Sequence, residues 1–399
     1  MLQVLQIVRD NPTGSQFLMS SSTIPNLNAF RRGQRGRGRG SGRGVGSSHS
    51  GAAGLGHGRH RPHDEIIQNT DNDAATSRLS AVEAGYLEDP FARLLSADED
   101  GPVARRLPLM NRGTYLRTAS IDRIVDTFLS STGHGCRQII SLGAGSDTRY
   151  FRLKHKRQNL AIVYHEVDFE ANTRRKIGRL RSPPFADKAK TLAGVDMHAS
   201  DVRLSEDGST LRSSEYNIHP QDLRRLPRDN ADLTGVDKDL PTLIISECCL
   251  VYLPPEDADA VLRYFSQLFP STTPLAIVVY EPIRPHDSFG RTMVRNLMSR
   301  GIQLQTLEKY AGLAEQQERL KTYGFRGDDG TGSGAEAVDI NFIWQRWTPP
   351  EEKERVDGLE WMDELEEFVL LAKHYCICWG WRGYGEGSGW KELPSSSPN

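Results

Sequence analysis

The sequence predicts an α/β fold in which a central, mostly parallel sheet carries helices on both faces. Two observations support this prediction. From Gln138 onward, short apolar runs of strand length alternate with segments of helical periodicity, which is the order of elements in a parallel sheet. The first run, Ile139–Leu142, leads directly into Gly143-Ala144-Gly145, and a glycine loop between a strand and a helix is typical of the ligand-binding edge of such sheets.

The composition bounds the class of protein. The 399 residues are enough for one α/β domain with insertions, and the formal net charge of −2 indicates no particular class of partner. The five cysteines include no C-x-x-C pair, which argues against a disulfide framework and a zinc site and is typical of a reducing compartment. We therefore expect no metal and a cytoplasmic location, with the nucleus as the alternative. No apolar run approaches the roughly 20 residues of a membrane span, so we expect no membrane contact.

Residues 1–62 differ in composition from the rest of the chain and form a predicted N-terminal arm. Between Arg31 and Gly44 the segment consists mainly of arginine and glycine. Such a segment has too little apolar surface to offset chain entropy, so we expect the arm to be disordered and without a role in activity. Contact with RNA is the alternative, because arginine-rich disordered segments bind phosphates.

The predicted folded domain spans residues 63–382 and begins with a helical cap. Polar residues suited to helix N-termini open a helical segment at Thr70–Val82. A short helical piece starts at Asp89–Phe91, and Pro108–Arg117 leads into a helix with Ile121, Ile124, Val125 and Phe128 on one face. This cap precedes the first strand.

Four strands and three helices are then predicted in alternation. The strands are Ile139–Leu142, Ala161–Val167, Leu243–Ile245 and Leu275–Tyr280, and the helices are Glu170–Leu180, Pro255–Phe269 and Ser288–Met298. The polar stretches 197–214 and 230–238 are predicted as an insertion loop and a connection.

The C-terminal region is predicted to contain further strands and helices. Strands begin at Gly324-Phe325, a helix occupies Glu351–Lys373, and a final strand occupies Tyr375–Trp379. The segment Ala335–Trp344 fits a helix and a strand equally well. Residues 383–399 are predicted to be a loose tail.

Acidic residues lie at the ends of successive predicted elements. Asp168 ends the second strand, 25 residues after Gly143. This is near the spacing of about 20 residues at which an acid binds ribose hydroxyls in nucleotide-binding folds. Glu247 follows the strand Leu243–Ile245, and Asp222 precedes a polar connection. These residues predict a ligand site at one edge of the sheet, although an acid in such a position also serves as a helix cap.

S-adenosylmethionine is the ligand that fits this set of residues. There is no Gly-x-x-x-x-Gly-Lys loop, which argues against a nucleoside triphosphate, and the third glycine of the dinucleotide fingerprint is absent near Arg149. Carboxylates suit a cationic ligand that also carries ribose and adenine. The sequence therefore predicts a Rossmann-like class I S-adenosylmethionine-dependent methyltransferase.

Five motifs of the sequence resemble those of the leucine carboxyl methyltransferase family. They are Asp73-Ala74 with Ser77-Arg78-Leu79-Ser80-Ala81-Val82, Asn111-Arg112-Gly113-Thr114-Tyr115-Leu116-Arg117, Leu142-Gly143-Ala144-Gly145-Ser146-Asp147-Thr148-Arg149, Glu166-Val167-Asp168-Phe169, and Glu247-Cys248-Cys249-Leu250-Val251-Tyr252-Leu253. The resemblance runs in order over about residues 66–382. It implies an enzyme that methylates the C-terminal leucine of the catalytic subunit of type 2A protein phosphatases, whose C-terminal tail would be the partner.

The resemblance also implies roles for individual residues in cofactor binding. Gly143 would contact the methionine part and Asp168 the ribose, while Asp222 and Leu223 would hold the adenine. Glu247 would lie near the methionine ammonium group. In addition, Arg117 would bind a carboxylate of the cofactor or of the substrate, and Arg78 occupies a cofactor-facing position where the family commonly has lysine, so its role is less defined.

Methylation of a carboxylate makes limited chemical demands. A leucine α-carboxylate, with a pKa of about 3.3–3.7, is already ionised at neutral pH and needs no general base. The enzyme must position it and remove water. Arg224 and Arg117 are our candidates for a guanidinium fork that grips the carboxylate, and Tyr252 is a candidate phenolic donor. The alternatives are a solvated charge for Arg224 and a core aromatic for Tyr252.

Two other functions are compatible with parts of the sequence. One is a related tRNA-modifying carboxyl methyltransferase of the wybutosine pathway, which the arginine-rich arm would suit. That relative carries a long C-terminal β-propeller, and no repeats of 40 to 50 residues occur here. The other is a non-catalytic RNA-binding protein on a methyltransferase fold, which would not need acids at Asp168, Asp222 and Glu247.

Overall fold

The computed structural model describes residues 62–96, 101, 103–131, 133, 135–326, 332–385 and 388–395. The predicted N-terminal arm, apart from Pro62, lies outside these residues, so its predicted disorder and its contact with RNA stay predictions. No helix in the described ranges is long and apolar enough to cross a membrane.

The described part of the chain alternates strands and helices as predicted. The strands are β1 Arg137–Leu142, β2 Ile162–Asp168, β3 Arg203–Leu204, β4 Leu211–Arg212, β5 Tyr216–Pro220, β6 Thr242–Glu247, β7 Leu275–Pro282, β8 Gly334–Asp339 and β9 Tyr375–Arg382. The helices are α1 Pro62–Glu83, α2 Ala92–Leu95, α3 Pro108–Ser131, α4 Arg149–Lys156, α5 Glu170–Leu180, α6 Pro183–Lys188, α7 Arg225–Asp229, α8 Pro255–Leu268, α9 Ser288–Met298, α10 Leu313–Thr322, α11 Ile340–Phe342, α12 Pro350–Asp357 and α13 Leu365–Lys373.

These strands form one sheet in the order β3-β4-β5-β2-β1-β6-β7-β9-β8. The five central strands, β5, β2, β1, β6 and β7, are mutually parallel, and β9 and β8 add antiparallel strands at one side. At the other side β4 and β3 extend the sheet as an antiparallel pair. This is the mostly parallel sheet that the sequence predicts, and it brings the carboxyl ends of the five parallel strands to one edge.

Strand β1 places apolar side chains on both faces of the sheet, because helices cover both faces. Ile139 of β1 belongs to a core that includes Ile121 and Phe128 of α3, whereas its neighbour Ile140 belongs to a second core that includes Val261 of α8. Successive side chains of a strand point to opposite faces. The two cores therefore hold the sheet between α3 and α8, with its carboxyl edge accessible.

Several element boundaries differ from the predictions. α1 begins at Pro62, eight residues before Thr70, because its first half is polar and gives no apolar periodicity. The predicted loop 197–214 contains β3 and β4, and the predicted helix Glu351–Lys373 is two helices separated at Gly358. The strand expected at Gly324-Phe325 was placed wrongly, since Gly324 has a φ of +108° and β8 begins only at Gly334.

The C-terminal segment also differs from the predicted loose tail. Trp390 is fully buried, and its ring stacks on Trp381 with a centroid distance of 6.1 Å and an interplanar angle of 7°. The indole nitrogen of Trp347 donates to the carbonyl of Pro394 over 2.8 Å. Residues 388–395 are therefore part of the packed domain.

Candidate active site

A pocket of about 1620 Å³, part of it open to solvent, lies at the carboxyl edge of the parallel strands. All nine predicted site residues line it: Arg78, Arg117, Gly143, Asp168, Asp222, Leu223, Arg224, Glu247 and Tyr252. The topology explains this convergence, because β1, β2, β5 and β6 end side by side. None of the described residues that line the pocket is a histidine or a lysine.

Both glycines after β1 are required by close packing. Gly143 and Gly145 have φ values of +62° and +46°, in the left-handed region that disfavours other residues. A Cβ atom on Gly143 would lie 2.7 Å from Sγ of Cys249, and one on Gly145 would lie 2.3 Å from Oδ1 of Asp71. The loop is thus packed between the segment that follows β6 and the helix α1.

Asp168 is held at the end of β2 by three donors. Its carboxylate accepts the backbone N–H of Gly145 over 2.7 Å, the backbone N–H of Phe169 over 2.7 Å, and Nδ2 of Asn172 over 2.9 Å. Burial raises the pKa of Asp168, and these N–H groups oppose the rise. The side chain is therefore fixed beside the glycine loop, where a carboxylate can accept hydrogen bonds from the hydroxyl groups of a ribose.

Glu247, at the end of β6, forms a partly buried ion pair with Arg117 of α3. Nε of Arg117 donates to Oε1 of Glu247, and Nη2 of Arg149 lies 3.4 Å from Oε2. Burial works to raise the pKa of Glu247, but the two guanidinium groups lower it below its usual value. For Arg117, burial favours a lower pKa, yet Glu247 raises it above its usual value. Both groups are charged at neutral pH.

A network of buried charges beneath the pocket was not predicted from the sequence. Arg149 is 1% exposed and bonds Asp147, Glu247 and, over 3.0 Å, Asp122 of α3. Arg78 lies 3.4 Å from Asp89 and 4.0 Å from Asp147. A clue was present in the glycine motif, where an arginine stands near the position of the missing third glycine.

Arg224 reaches the pocket, but its guanidinium is engaged by two carboxylates of the chain itself. Nε donates to Oδ1 of Asp222 over 2.9 Å, and Nη1 donates to Oδ1 of Asp64 over 3.1 Å. The ring of Phe169 lies 5.8 Å from the guanidinium carbon. This geometry does not support the predicted grip on a substrate carboxylate, because the fork is already paired.

Tyrosines form the wall near Arg117. Burial raises the pKa of Tyr252, whose hydroxyl also bonds Thr70 of α1, so the phenol is neutral and can donate. Tyr280 stacks on Tyr375 at 5.7 Å, and the guanidinium carbon of Arg117 lies 5.1 Å from the Tyr280 ring centre. Cys248, with a φ of +51°, lies directly after Glu247 in a strained conformation.

The residues present fit the predicted cofactor. The glycine loop lines the pocket with backbone that carries no side chain, Asp168 and Asp222 lie at the tips of neighbouring strands, and Glu247 supplies a carboxylate among cations. No group of metal-ligating side chains occurs among the described residues. The site is thus suited to a nucleoside with charged substituents.

Comparisons with known proteins agree with this geometry. The sequence model of the family described as Leucine carboxyl methyltransferase matches residues 66–266. Leucine carboxyl methyltransferase 1 of Aspergillus fumigatus is 48% identical over 405 aligned residues, which cover 94% of this chain and 98% of that protein. The protein of the same name from Schizosaccharomyces pombe is 40% identical, over 78% of this chain and 93% of its own.

A solved structure resembles the chain more distantly. Geranyl diphosphate C-methyltransferase from Streptomyces coelicolor A3(2) has a TM-score of 0.42 and 12% identity, covering 82% of this chain and 100% of that chain.

Proposed function

Because this chain belongs to the leucine carboxyl methyltransferase family, we propose that it methylates the C-terminal leucine of the catalytic subunit of type 2A protein phosphatases. The chain is an S-adenosylmethionine-dependent methyltransferase with a Rossmann-like sheet, so the predicted family, fold class, enzyme class and cofactor are confirmed. The product is the methyl ester of the leucine α-carboxylate. The identity of the protein substrate and the roles of the residues are the proposal.

One observation carries the proposed chemistry: the pocket combines carboxylates for the cofactor with guanidinium groups, and no described lining residue is a histidine or a lysine. A nucleophile that must lose a proton needs a general base near it. A carboxylate does not, because it is ionised at neutral pH. The pocket therefore suits a carboxylate substrate, which needs no base and whose charge a guanidinium group can balance.

The roles proposed for the cofactor follow the positions of the residues. Asp168 accepts the ribose hydroxyls, and Asp222 with Leu223 holds the adenine. Gly143 allows close approach of the methionine part. Glu247 faces the ammonium group, and Arg78 balances the cofactor carboxylate. The bound cofactor supplies an electrophilic methyl group on a sulfonium.

The substrate side of the pocket combines cations with apolar walls. We propose that Arg117 attracts the substrate carboxylate, since Glu247 occupies only part of its donor set. Tyr252 remains the candidate phenolic donor to that carboxylate. Val251, Leu253 and Leu304 line the pocket and suit a leucine side chain. Closure around the apolar side chain excludes water, which strengthens the contacts with the charged carboxylate.

The proposal is tested by transfer of a labelled methyl group to the phosphatase catalytic subunit. The intact subunit should acquire label, and a subunit that lacks its terminal leucine should not. Label on the truncated subunit would contradict the proposal. Label on tRNA instead of protein would favour the wybutosine-pathway alternative, and binding of RNA without any methyl transfer would favour the non-catalytic one.

We also propose a cytoplasmic location, with the nucleus as the alternative. The five cysteines are all free thiols, as expected in a reducing compartment. Imaging of a tagged full-length chain tests this proposal, and a signal confined to the secretory pathway would contradict it.

A further inference from the structure

The first half of α1 covers the pocket without being buried in the core. Ala75, Ser77 and Leu79 of the second half are buried, whereas no residue of 63–74 is fully buried. Seven residues of the first half nevertheless line the pocket: Asp64, Ile67, Gln68, Thr70, Asp71, Asp73 and Ala74. Segments with few buried apolar contacts open at low free energy. Only the partly buried Ile66 and Ala74 pack against the core here, so polar contacts contribute to the closed position of this half-helix.

An ion pair close to the start of α1 joins Asp64 to Arg224. Nη1 donates to Oδ1 over 3.1 Å, and Nη2 donates to Oδ2 over 2.9 Å. The two side chains are only 13% and 20% exposed. This is the two-pronged geometry in which arginine and a carboxylate interact most strongly. The pair thus fastens the start of α1 by a directional contact.

Arg224 connects this contact to the floor of the pocket. Its Nη2 donates to Oδ2 of Asp222 over 2.6 Å, and its backbone N–H donates to Oδ1 of Asp222 over 3.0 Å. Asp222 is the residue proposed to hold the adenine. The guanidinium that orients Asp222 is therefore the one that holds α1.

Further along α1, Asp71 provides a second attachment. Its Oδ1 accepts the backbone N–H of Ser146 over 2.7 Å, and its Oδ2 lies 3.2 Å from Nη2 of Arg175. This contact lies directly on the glycine loop.

We propose that Arg224 is a positioning residue that latches α1 over the bound cofactor through Asp64, so that opening of this pair limits cofactor exchange. The Arg224–Asp64 pair, together with the half-helix 63–74, forms the latch. The inference rests on the cofactor site of the proposed function. It assigns Arg224 to the retention of the cofactor, in place of the predicted grip on the substrate carboxylate.

The test measures how fast tritiated S-adenosylhomocysteine leaves the full-length chain after dilution into excess unlabelled ligand. Asp64→Asn removes the charge and one acceptor oxygen, so dissociation should become about tenfold faster, which corresponds to about 1.4 kcal/mol. Glu65→Gln is the matched control, because Glu65 is exposed on the same turn, and its dissociation rate should equal that of the wild type. Added salt should accelerate dissociation from the wild type but much less from Asp64→Asn, since salt screens ion pairs.

A second variant separates the latch from a general loss of structure. Arg224→Lys keeps the charge but loses the fork, so it should accelerate dissociation as Asp64→Asn does. Adding Asp64→Asn to Arg224→Lys should change the rate little further, because the guanidinium fork that contacts Asp64 is already lost. Hydrogen exchange should rise in residues 63–74 and remain unchanged in the central strands.

The outcomes are distinguishable. Unchanged dissociation from Asp64→Asn, or additive effects of the two variants, would overturn the latch while leaving the proposed function intact. A wild-type chain that fails to retain S-adenosylhomocysteine at all would instead overturn the cofactor site itself.

Discussion

Asp168→Asn is the substitution whose effect the site geometry determines most closely. In the wild type, Oδ2 accepts from Gly145 and Oδ1 accepts from both Phe169 and Asn172. Asparagine has one acceptor oxygen, and the best orientation keeps the two contacts at the Oδ1 position. The NH₂ group of the asparagine then faces the backbone N–H of Gly145. Both are donors, so the N–H of Gly145 loses its acceptor.

The expected loss can be worked out from these contacts. A buried donor left without a partner costs about 1–3 kcal/mol. The charge that strengthens bonds from ribose hydroxyls disappears as well, and hydrogen bonds to charged groups contribute about 1.5–3 kcal/mol each. The unpaired N–H of Gly145 destabilises the free enzyme as well as the complex, so only part of its cost lowers cofactor affinity. We therefore expect the binding free energy to weaken by about 2 kcal/mol, which is roughly a 30-fold loss of affinity.

Calorimetric titration with S-adenosylhomocysteine measures this loss. Asn172→Ala is the control, because it removes one neutral donor and leaves the carboxylate, so its affinity should fall much less. A thermal melt of both variants verifies folding. Undiminished binding to folded Asp168→Asn would refute the assignment of Asp168 to the ribose.

Three further substitutions test other parts of the account. Arg149→Met removes one of the cations that lower the pKa of Glu247, so burial should raise that pKa. The stabilising effect of the Glu247 charge is present above the unfolded pKa of this residue and is lost as the pH falls through its folded pKa. The rise in the KM for S-adenosylmethionine on acidification should therefore begin at a higher pH in this variant than in the wild type. A pH profile of KM that does not shift would contradict this. Gly145→Ala should cost at least about 1 kcal/mol in unfolding free energy, because it combines a positive φ with a clash against Asp71, and Ser146→Ala is its control. Trp390→Ala should cost about 3–5 kcal/mol in denaturant unfolding, with the exposed Lys391→Ala as control, and a value near zero would support a loose tail after all.

The sequence predicts the site well where short-range pattern decides position. Gly143, Asp168 and Glu247 each follow an apolar run, and a strand that ends at a parallel edge leaves its next residue little freedom. For that reason all the predicted residues line one pocket. The ion pairs and hydrogen bonds between these residues were harder to predict than their positions. Nothing near Arg224 in the sequence indicates that Asp64, 160 residues away, fills its fork.

Strand β5 was not predicted from the sequence, and the reason again lies in contacts with distant residues. β5 contains Asn217 and His219, polar residues that hide the strand from a hydrophobicity pattern. His219 is nevertheless buried, and its Nε2 lies 3.0 Å from Nδ1 of His165 on β2. Burial lowers the pKa of both imidazoles, that of His165 to about 3, so the pair is neutral and can share one hydrogen bond. The contact between His219 and His165 on the neighbouring strand allows polar residues in β5 to be buried, and the local sequence does not reveal it.

Helix α1 was predicted only in part, because hydrophobic periodicity is present in its second half and absent from its first half. Its second half follows the expected pattern of buried positions, beginning at Ala75. Its first half is held over the pocket by polar pairs with Arg224, Ser146 and Arg175, none of which leaves an apolar stripe. The part of the helix that shapes the site was therefore the part that pattern analysis could not locate.

The central claim is that the chain esterifies the α-carboxylate of a C-terminal leucine. Mass spectrometry of the C-terminal peptide of the phosphatase catalytic subunit, after incubation with the full-length chain and S-adenosylmethionine, tests it most directly. We expect one added methyl group on the terminal leucine, which mild alkali should remove because it is held as an ester. A methyl group on any internal residue, or one that survives alkali, would contradict it.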